Sequence, residues 1–231
     1  MFALARALAP SRRRILVTTT TRMLNPERAS EREGRLFGIL VVHPDPGSRE
    51  ALALLADAGA RVVLASALSE DGTKLSGVAP EAIAPLLSCF DLVLIEADGA
   101  RGLSIKAPSE REPVIPSCAT AVVGLIGLDA LGKSLDDRVA HRPEILGPLV
   151  GCAPGEAISP EHLQRLAASP RGLFKGAPPT AKRIVLLNKA ELCEPEIADG
   201  CARMLLASGA TDAVALGALG APGATDAEGP R

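Results

Sequence analysis

The sequence predicts an α/β fold with a mainly parallel sheet that has helices on both faces. Most of its seven apolar runs are nearly continuous rather than alternating, which is typical of strands buried on both sides. Amphipathic stretches of helical spacing stand between several of these runs, and this alternation implies parallel strands joined by crossover helices. Hydrophobic residues make up 47% of the 231 residues, which is enough for a sizeable core.

The strands and helices follow from these patterns in chain order. The predicted strands are RILVTT (14–19), LFGILVV (36–42), RVVLAS (61–66), DLVLIEA (91–97), TAVVGLIG (120–127), RIVLLN (183–188) and DAVAL (212–216). The chain opens on a helical stripe, MFALARALAP, and further helices are predicted at 47–60, 79–90, 159–169 and 194–210. Ser159 and Pro160 are typical residues for the start of the helix that they precede.

The pattern predicts one α/β domain over residues 1–217. Residues 142–182 are rich in Pro and Gly and contain one clear helix, so we interpret them as a helical excursion from the sheet. The end of the chain, 218–231, consists mainly of Gly, Ala, Pro and Asp with little to bury, and we expect it to be disordered.

Composition excludes several classes of protein. The net charge is -2, and aromatic residues are 2% with no Trp or Tyr, which disfavours a nucleic-acid partner. No apolar run reaches the roughly 18 residues of a membrane span. The five cysteines include no C-x-x-C pair, which disfavours a disulfide framework or a structural zinc site. A reducing, cytoplasmic location is expected.

The strand at 91–97 ends in residue types that suit a site for metal and phosphate. In an open parallel sheet, ligands bind beyond the carboxyl ends of the strands, and we expect the ends of strands 14–19, 91–97 and 183–188 to share one edge. Glu96 and Asp98 follow the apolar run, and such carboxylates commonly hold Mg²⁺ beside phosphates. Arg101 and Lys106 supply positive charge for an anion. The alternative is a polar strand end whose charges pair with each other.

The strand at 14–19 leads into a run of threonines. The hydroxyls of Thr19, Thr20 and Thr21 suit a metal or a phosphate oxygen. The alternative is that threonine is here only for its preference for strands.

The strand at 183–188 ends in Asn188, Lys189 and, two residues on, Glu191. An Asn-Lys-x-Asp at a strand end reads guanine in many GTP-binding proteins, because the carboxylate accepts hydrogen bonds from the base edge. Glu191 is one methylene longer than that aspartate, and so short a pattern also arises by chance. The chain contains no G-x-x-x-x-G-K-[ST] loop, the usual phosphate cradle.

Together these motifs resemble the YqeC family, whose members are known as selenium-dependent hydroxylase accessory proteins. The resemblance rests on VTTTTR, IEADGARGLSIKAPSEREPVIP, VVGLIGLDALGKSLDD, HRPEIL, SPRGLFKGAP and LLNKAEL, and it runs from residue 1 to about 216. It implies a P-loop NTPase-like core, with Glu96 and Asp98 at the metal and phosphate edge and residues 19–21 near the γ-phosphate.

Members of the family typically begin with a strand and a loop like G-G-G-G-K-T-[TS]-L before a helix like MFALARELA. By that comparison this sequence begins at the helix, without the first strand and the phosphate-binding loop. We expect either a start codon assigned too late or a form that lacks the loop. Mg²⁺ and ATP or GTP are expected to bind the full-length form, and only weakly or not at all this chain.

Three functions are consistent with the resemblance. The first is a nucleotide-dependent accessory factor that serves a selenium-dependent molybdenum hydroxylase or its maturation machinery, with nucleoside triphosphatase activity only where the loop is present. The second is a non-catalytic scaffold or cofactor carrier on a decayed NTPase fold. The third is a Mg²⁺-dependent transferase that acts on the molybdenum cofactor through Glu96 and Asp98.

Overall fold

The chain divides into two compact units. The computed structural model describes residues 5, 14–29, 39–42, 49–57 and 61–218. The first unit is Met1–Gly99 with Pro113–Cys118, and the second is Ala100–Glu112 with Ala119–Arg231. Apart from Ala5, which is helical, and residue 218, the predicted opening helix and disordered tail lie outside the described residues. One domain over 1–217 stays a prediction.

The first unit contains a four-stranded parallel sheet in the order β3-β4-β1-β7. Its strands are β1 (Ile15–Thr19), β3 (Ile39–Val42), β4 (Val62–Ala65) and β7 (Leu92–Glu96). Within β1, Leu16 packs on one side with Leu52, whereas Ile15 and Val17 pack on the other with Ala5. A strand with a core on each face requires a continuous apolar run, and this is the pattern that predicted it.

Shorter elements surround this sheet. A small antiparallel sheet has the order β2-β6-β5, with β2 at Arg22–Leu24, β5 at Ala67–Leu68 and β6 at Lys74–Ser76. The helices are α1 (Pro26–Ala29) and α2 (Arg49–Asp57). The helix predicted at 79–90 is instead two 3-10 turns, Pro80–Ala82 and Ala84–Ser88. Pro85 lies inside the second turn and has no N–H for a helical hydrogen bond.

The second unit has its own parallel strands and its own core. A three-stranded sheet has the order β12-β11-β9, and a parallel pair joins β10 to β8. The strands are β8 (Ile105–Lys106), β9 (Ala121–Gly127), β10 (Ala140–His141), β11 (Lys182–Asn188) and β12 (Ala213–Leu216). The helices are α3 (Pro143–Val150), α4 (Pro160–Ala168) and α5 (Pro195–Ala207).

These elements confirm the α/β class and correct one expectation. Each of the seven predicted strands coincides with an observed strand. However, β11 pairs with β9 and β12 in the second unit, whereas β1 and β7 are neighbours in the first. The carboxyl end of β11 therefore does not belong to the sheet edge formed by β1 and β7, because the apolar runs do not specify which strands pair. Along the described ranges, no helix combines the length and apolarity needed to span a membrane.

Candidate functional site

The carboxyl ends of β1 and β7 meet in the first unit, where Thr19 pairs with Glu96. Thr19 Oγ1 donates to the Glu96 carbonyl at 2.8 Å and accepts the Thr21 N–H at 3.0 Å. Thr20 Oγ1 donates to the Val114 carbonyl at 2.6 Å. The first two threonine hydroxyls thus tie the sheet edge together through backbone carbonyls. Their predicted contact with phosphate or metal stays a prediction.

Glu96 and Asp98 provide two carboxylates at this edge. Burial raises the pKa of Glu96, and the negative charge of Asp98 raises it further. A Cβ atom on Gly99 would lie 3.7 Å from Glu96 Oε1, so the carboxylate lies close to the backbone of the following turn. Two oxygen donors of like charge, one of them largely removed from water, fit a hard divalent cation, which would relieve both the repulsion and the desolvation.

In the second unit, Lys106 is bound to a carboxylate that the sequence reasoning did not single out. Lys106 Nζ donates to Glu112 Oε2 at 3.0 Å, and Arg142 Nη1 donates to the same oxygen at 2.7 Å. Partial burial raises the pKa of Glu112, but the hydrogen bonds and charges of Arg142 and Lys106 outweigh it and lower this pKa to about 2. Glu112 is therefore ionised throughout the physiological range.

The loop that carries Glu112 is fixed by a distant lysine. Lys175 Nζ donates to the carbonyls of Ser109, Glu110 and Glu112 at 2.5, 2.8 and 3.0 Å. An ammonium group has three N–H donors, and here each has an acceptor. Lys175 thereby holds the loop in one conformation around the Glu112 cluster.

Lys189, predicted to contact a base, has an ionic partner of its own. Its Nζ donates to Asp129 Oδ2 at 3.0 Å and to Ser104 Oγ at 3.1 Å. Burial raises the pKa of Asp129, but hydrogen bonds from Ser104 and Lys189 exceed that effect and lower it. Glu191 is exposed to solvent, and Asn188 is the last residue of β11. Recognition of guanine by these residues stays a prediction.

Several arginine and lysine residues of the second unit have a left-handed backbone conformation. Among the described residues, the non-glycine residues with positive φ are Arg101 (53°), Arg142 (65°) and Lys189 (59°). Such conformations are disfavoured for side chains with a Cβ, and they cluster at functional sites. Each of the three belongs to a motif that carried the family resemblance.

Three residues of the second unit have side chains that commonly bind metals, but one of them caps a helix. Ligand atoms of Cys152, Glu156 and His162 lie within 4.8 Å of one another. However, His162 Nδ1 accepts the backbone N–H of Ser159 at 3.0 Å, as part of a capping box at the start of α4. A neutral imidazole that accepts at Nδ1 carries its hydrogen on Nε2, so neither nitrogen offers a lone pair to a metal.

The predicted site residues are distributed over both units. Residues 19–21, Glu96 and Asp98 lie in the first unit, whereas the cations of the ADGARGLSIK motif and the NKAE motif lie in the second. The structure adds Glu112, Arg142 and Lys175 to Lys106. These three residues belong to SEREP, HRPE and GLFKGAP, which are parts of the motifs that carried the family resemblance. Their spacing in the sequence does not reveal that they lie together.

Comparison with known proteins agrees with the motifs. The family model described as YqeC protein matches residues 1–144. A protein of Escherichia coli (strain K12), described as "Uncharacterized protein YqeC", is 33% identical over 201 residues, covering 86% of this chain and 74% of that protein. No solved structure matches the chain significantly. The chain therefore belongs to the YqeC family.

Proposed function

We propose that the protein is a cytoplasmic accessory factor for a selenium-dependent molybdenum hydroxylase, and that it acts through a magnesium-bound nucleotide on a P-loop NTPase-like core. The observation that carries this proposal is the pair Glu96 and Asp98 at the carboxyl edge of a parallel sheet. Burial disfavours the ionised form of Glu96 and raises its pKa, and the nearby charge of Asp98 acts in the same direction. A divalent cation is the ligand that such an arrangement favours.

The chain's own residues would hold and orient the metal. Glu96 and Asp98 would each provide an oxygen ligand, directly or through water. The hydroxyls of Thr19 and Thr20 hydrogen-bond to the carbonyls of Glu96 and Val114 at this edge. When bound, Mg²⁺ neutralises phosphate charge and orients the phosphates. ATP or GTP would then bind in a form of the protein that carries the G-x-x-x-x-G-K-[ST] loop, because that loop supplies most phosphate contacts.

A scaffold without catalysis is the second candidate, and the threonine contacts favour it. Thr19 Oγ1 and Thr20 Oγ1 both donate to backbone carbonyls. In this role the fold would present a binding surface to the hydroxylase or carry its cofactor. The two candidates differ in whether the carboxylate pair binds a metal.

Manganese titration followed by electron paramagnetic resonance tests the metal site in the 231-residue chain. We expect saturable binding that Glu96→Gln and Asp98→Asn each weaken by about tenfold or more, since each removes one of two ionic ligands. Asp137→Asn, which changes an exposed aspartate of the second unit, is the matched control. If manganese binds the wild-type protein as weakly as it binds each of these variants, the scaffold without a metal site is favoured.

The accessory role needs its own test in cells. Deleting the gene should lower the activity of the selenium-dependent hydroxylase without lowering its abundance. Wild-type protein should restore that activity and Asp98→Asn should not, provided that both fold, as circular dichroism would establish. Full hydroxylase activity in the deletion strain would refute the accessory role, independently of metal binding.

A further inference from the structure

Three large apolar side chains are exposed at one corner of the second unit. Leu192 is 66% exposed, Ile197 is 47% exposed and Leu216 is 44% exposed. Leu192 ends a 3-10 turn that follows β11, Ile197 lies in the first turn of α5, and Leu216 is the last residue of β12. Because β11 and β12 are parallel and α5 connects them, the start of α5 and the ends of both strands share this corner.

Backbone hydrogen bonds hold the turn beside the end of β12. The Ala190 N–H donates to the Gly217 carbonyl at 3.0 Å. The Gly217 N–H in turn donates to the Leu187 carbonyl of β11 at 2.9 Å. The segments that carry Leu192 and Leu216 are therefore joined side by side.

Helix α5 does not need Ile197 to attach to the core. Ala198, Cys201 and Leu205 of this helix are buried in the hydrophobic cluster of the second unit. Ile197 lies outside this buried stripe. Single exposed apolar side chains are common on protein surfaces, whereas several together mark an interaction surface.

Carboxylates stand beside these apolar side chains in the sequence. Glu191, Glu194 and Glu196 are exposed, and within the described ranges their side chains have no hydrogen-bonding or ionic partner. The neighbouring Lys189 is occupied by Asp129 at 3.0 Å. A negative charge in the first turn stabilises a helix, which accounts for Glu196 but not for Glu191, since Glu191 stands before the helix. The corner therefore combines an apolar surface with uncompensated negative charge.

We propose that this corner docks a segment of another protein in which lysine or arginine residues flank an apolar side chain. An apolar centre with a polar rim is the usual organisation of a protein interface. Carboxylates at the rim attract a basic partner and repel phosphates, nucleic acids and anionic lipids. The docking corner consists of Leu192, Ile197, Leu216, Glu191, Glu194 and Glu196.

The docking corner belongs to the second unit alone, whereas Glu96 and Asp98 belong to the first. The proposal therefore does not depend on metal binding at that carboxylate pair. A failure of the metal site and a failure of the docking corner are separate results.

Fluorescence anisotropy of labelled peptides titrated with the whole chain tests this surface. The probe is a short peptide with a pair of leucines flanked by lysines. Two comparison peptides replace the lysines by glutamate or the leucines by alanine. We expect saturable binding of the lysine–leucine peptide and binding weaker by about tenfold or more for each comparison peptide, because one lacks the charge and the other the apolar anchor.

Substitutions locate the binding on the protein. Leu192→Ser should weaken binding of the lysine–leucine peptide by about tenfold and Glu194→Gln by about threefold, since a rim charge contributes less than an apolar anchor. Leu206→Ser is the matched control for the first, because Leu206 is 46% exposed at the other end of α5. Glu110→Gln is the control for the second, because Glu110 is exposed elsewhere in the second unit. Circular dichroism should show wild-type unfolding for all four variants.

A second copy of this chain is the competing occupant. Sedimentation velocity of wild type and Leu192→Ser measures self-association. A monomeric wild type that binds the lysine–leucine peptide through Leu192 supports the proposal. Self-association that Leu192→Ser abolishes would overturn it in favour of a second copy. Absence of saturable peptide binding, or equal weakening by Leu192→Ser and Leu206→Ser, would overturn it as well.

Discussion

Charged side chains of this protein form ion pairs with residues that are distant in sequence. Glu112 and Arg142 are separated by 30 residues, yet their side chains are joined at 2.7 Å. Lys189 and Asp129 are 60 residues apart and are joined at 3.0 Å. The sequence predicted that Lys106 contacts a bound anion and that Lys189 contacts a nucleotide base, and it did not predict an ionic partner for either side chain. Their carboxylate partners depend on which strands and loops are neighbours, and residue type alone does not reveal that.

The ionisation of Glu112 predicts a specific dependence of stability on pH. Its pKa of about 2 in the folded protein lies below the ordinary value of 4.5, so the folded state holds this proton less tightly than the unfolded state. The stabilising contribution is complete above about pH 5 and is lost as the pH falls from 4.5 towards 2. The difference in unfolding free energy between wild type and Glu112→Gln should therefore shrink over that interval.

Urea unfolding followed by circular dichroism at a series of pH values measures this difference. Glu191→Gln, which alters an exposed carboxyl group of the same unit, is the matched control. The pH dependence of the Glu112→Gln difference is compared with that of this control. A difference for Glu112→Gln that is constant over this range would contradict the assigned contacts.

Among the elements, the long apolar strands were predictable and the short ones were not. Continuous apolar runs marked β1, β4 and β11, because buried parallel strands need apolar side chains on both faces. The antiparallel strands of RML, AL and KLS are only two or three residues long, with alternating or exposed side chains. Runs of that length carry no recognisable periodicity. Helix α3 was missed because Pro148 lies inside it.

Gly77 directly follows strand β6 of the small antiparallel sheet and lies against the backbone of Thr20 and Thr21. A Cβ atom there would lie 2.4 Å from the carbonyl carbon of Thr20 and 2.6 Å from the nitrogen of Thr21. The Gly77 N–H also donates to the Thr21 carbonyl at 2.7 Å. Gly77→Ala should therefore cost about 2 kcal/mol or more, because backbone atoms on both sides must separate.

Gly200→Ala is the control for this substitution. Gly200 lies within α5, and a Cβ atom there would meet nothing within 4 Å. Removing a glycine from a helix interior should stabilise the protein by about 0.5–1 kcal/mol. The two alanine variants thus have opposite expected signs in thermal unfolding, and equal effects would contradict the packing around Gly77.

At the scale of the whole molecule, the buried residues of the second unit form one hydrophobic cluster, and those of the first unit form two, one on each face of its parallel sheet. The core of the second unit includes Ile105 and Ala107, which precede the segment Pro113–Cys118 of the first unit, and Ile126 and Leu163, which follow it. The chain therefore leaves the second unit and returns to it. The single layered domain stays a prediction from composition and periodicity, since neither property records which core a given apolar residue joins.

Two fragments test the independence of the second core. Fragment 100–218 retains β8 and should unfold cooperatively on its own. Fragment 119–218 lacks Ile105 and Ala107, which are 2% and 0% exposed, and should not. Removing these two side chains and the partner strand of β10 costs several kcal/mol, a large share of the stability of a small domain. Circular dichroism and calorimetry of both fragments measure the difference, and cooperative unfolding of the shorter one would contradict it.

The position of Glu112 beside Arg142 and Lys106 ties the ends of two neighbouring strands together. Lys106 is the last residue of β8, and Arg142 directly follows β10, which is the parallel partner of β8. One oxygen of the Glu112 carboxylate accepts hydrogen bonds from both side chains. A change at this one position therefore loosens two strand ends that are distant along the chain.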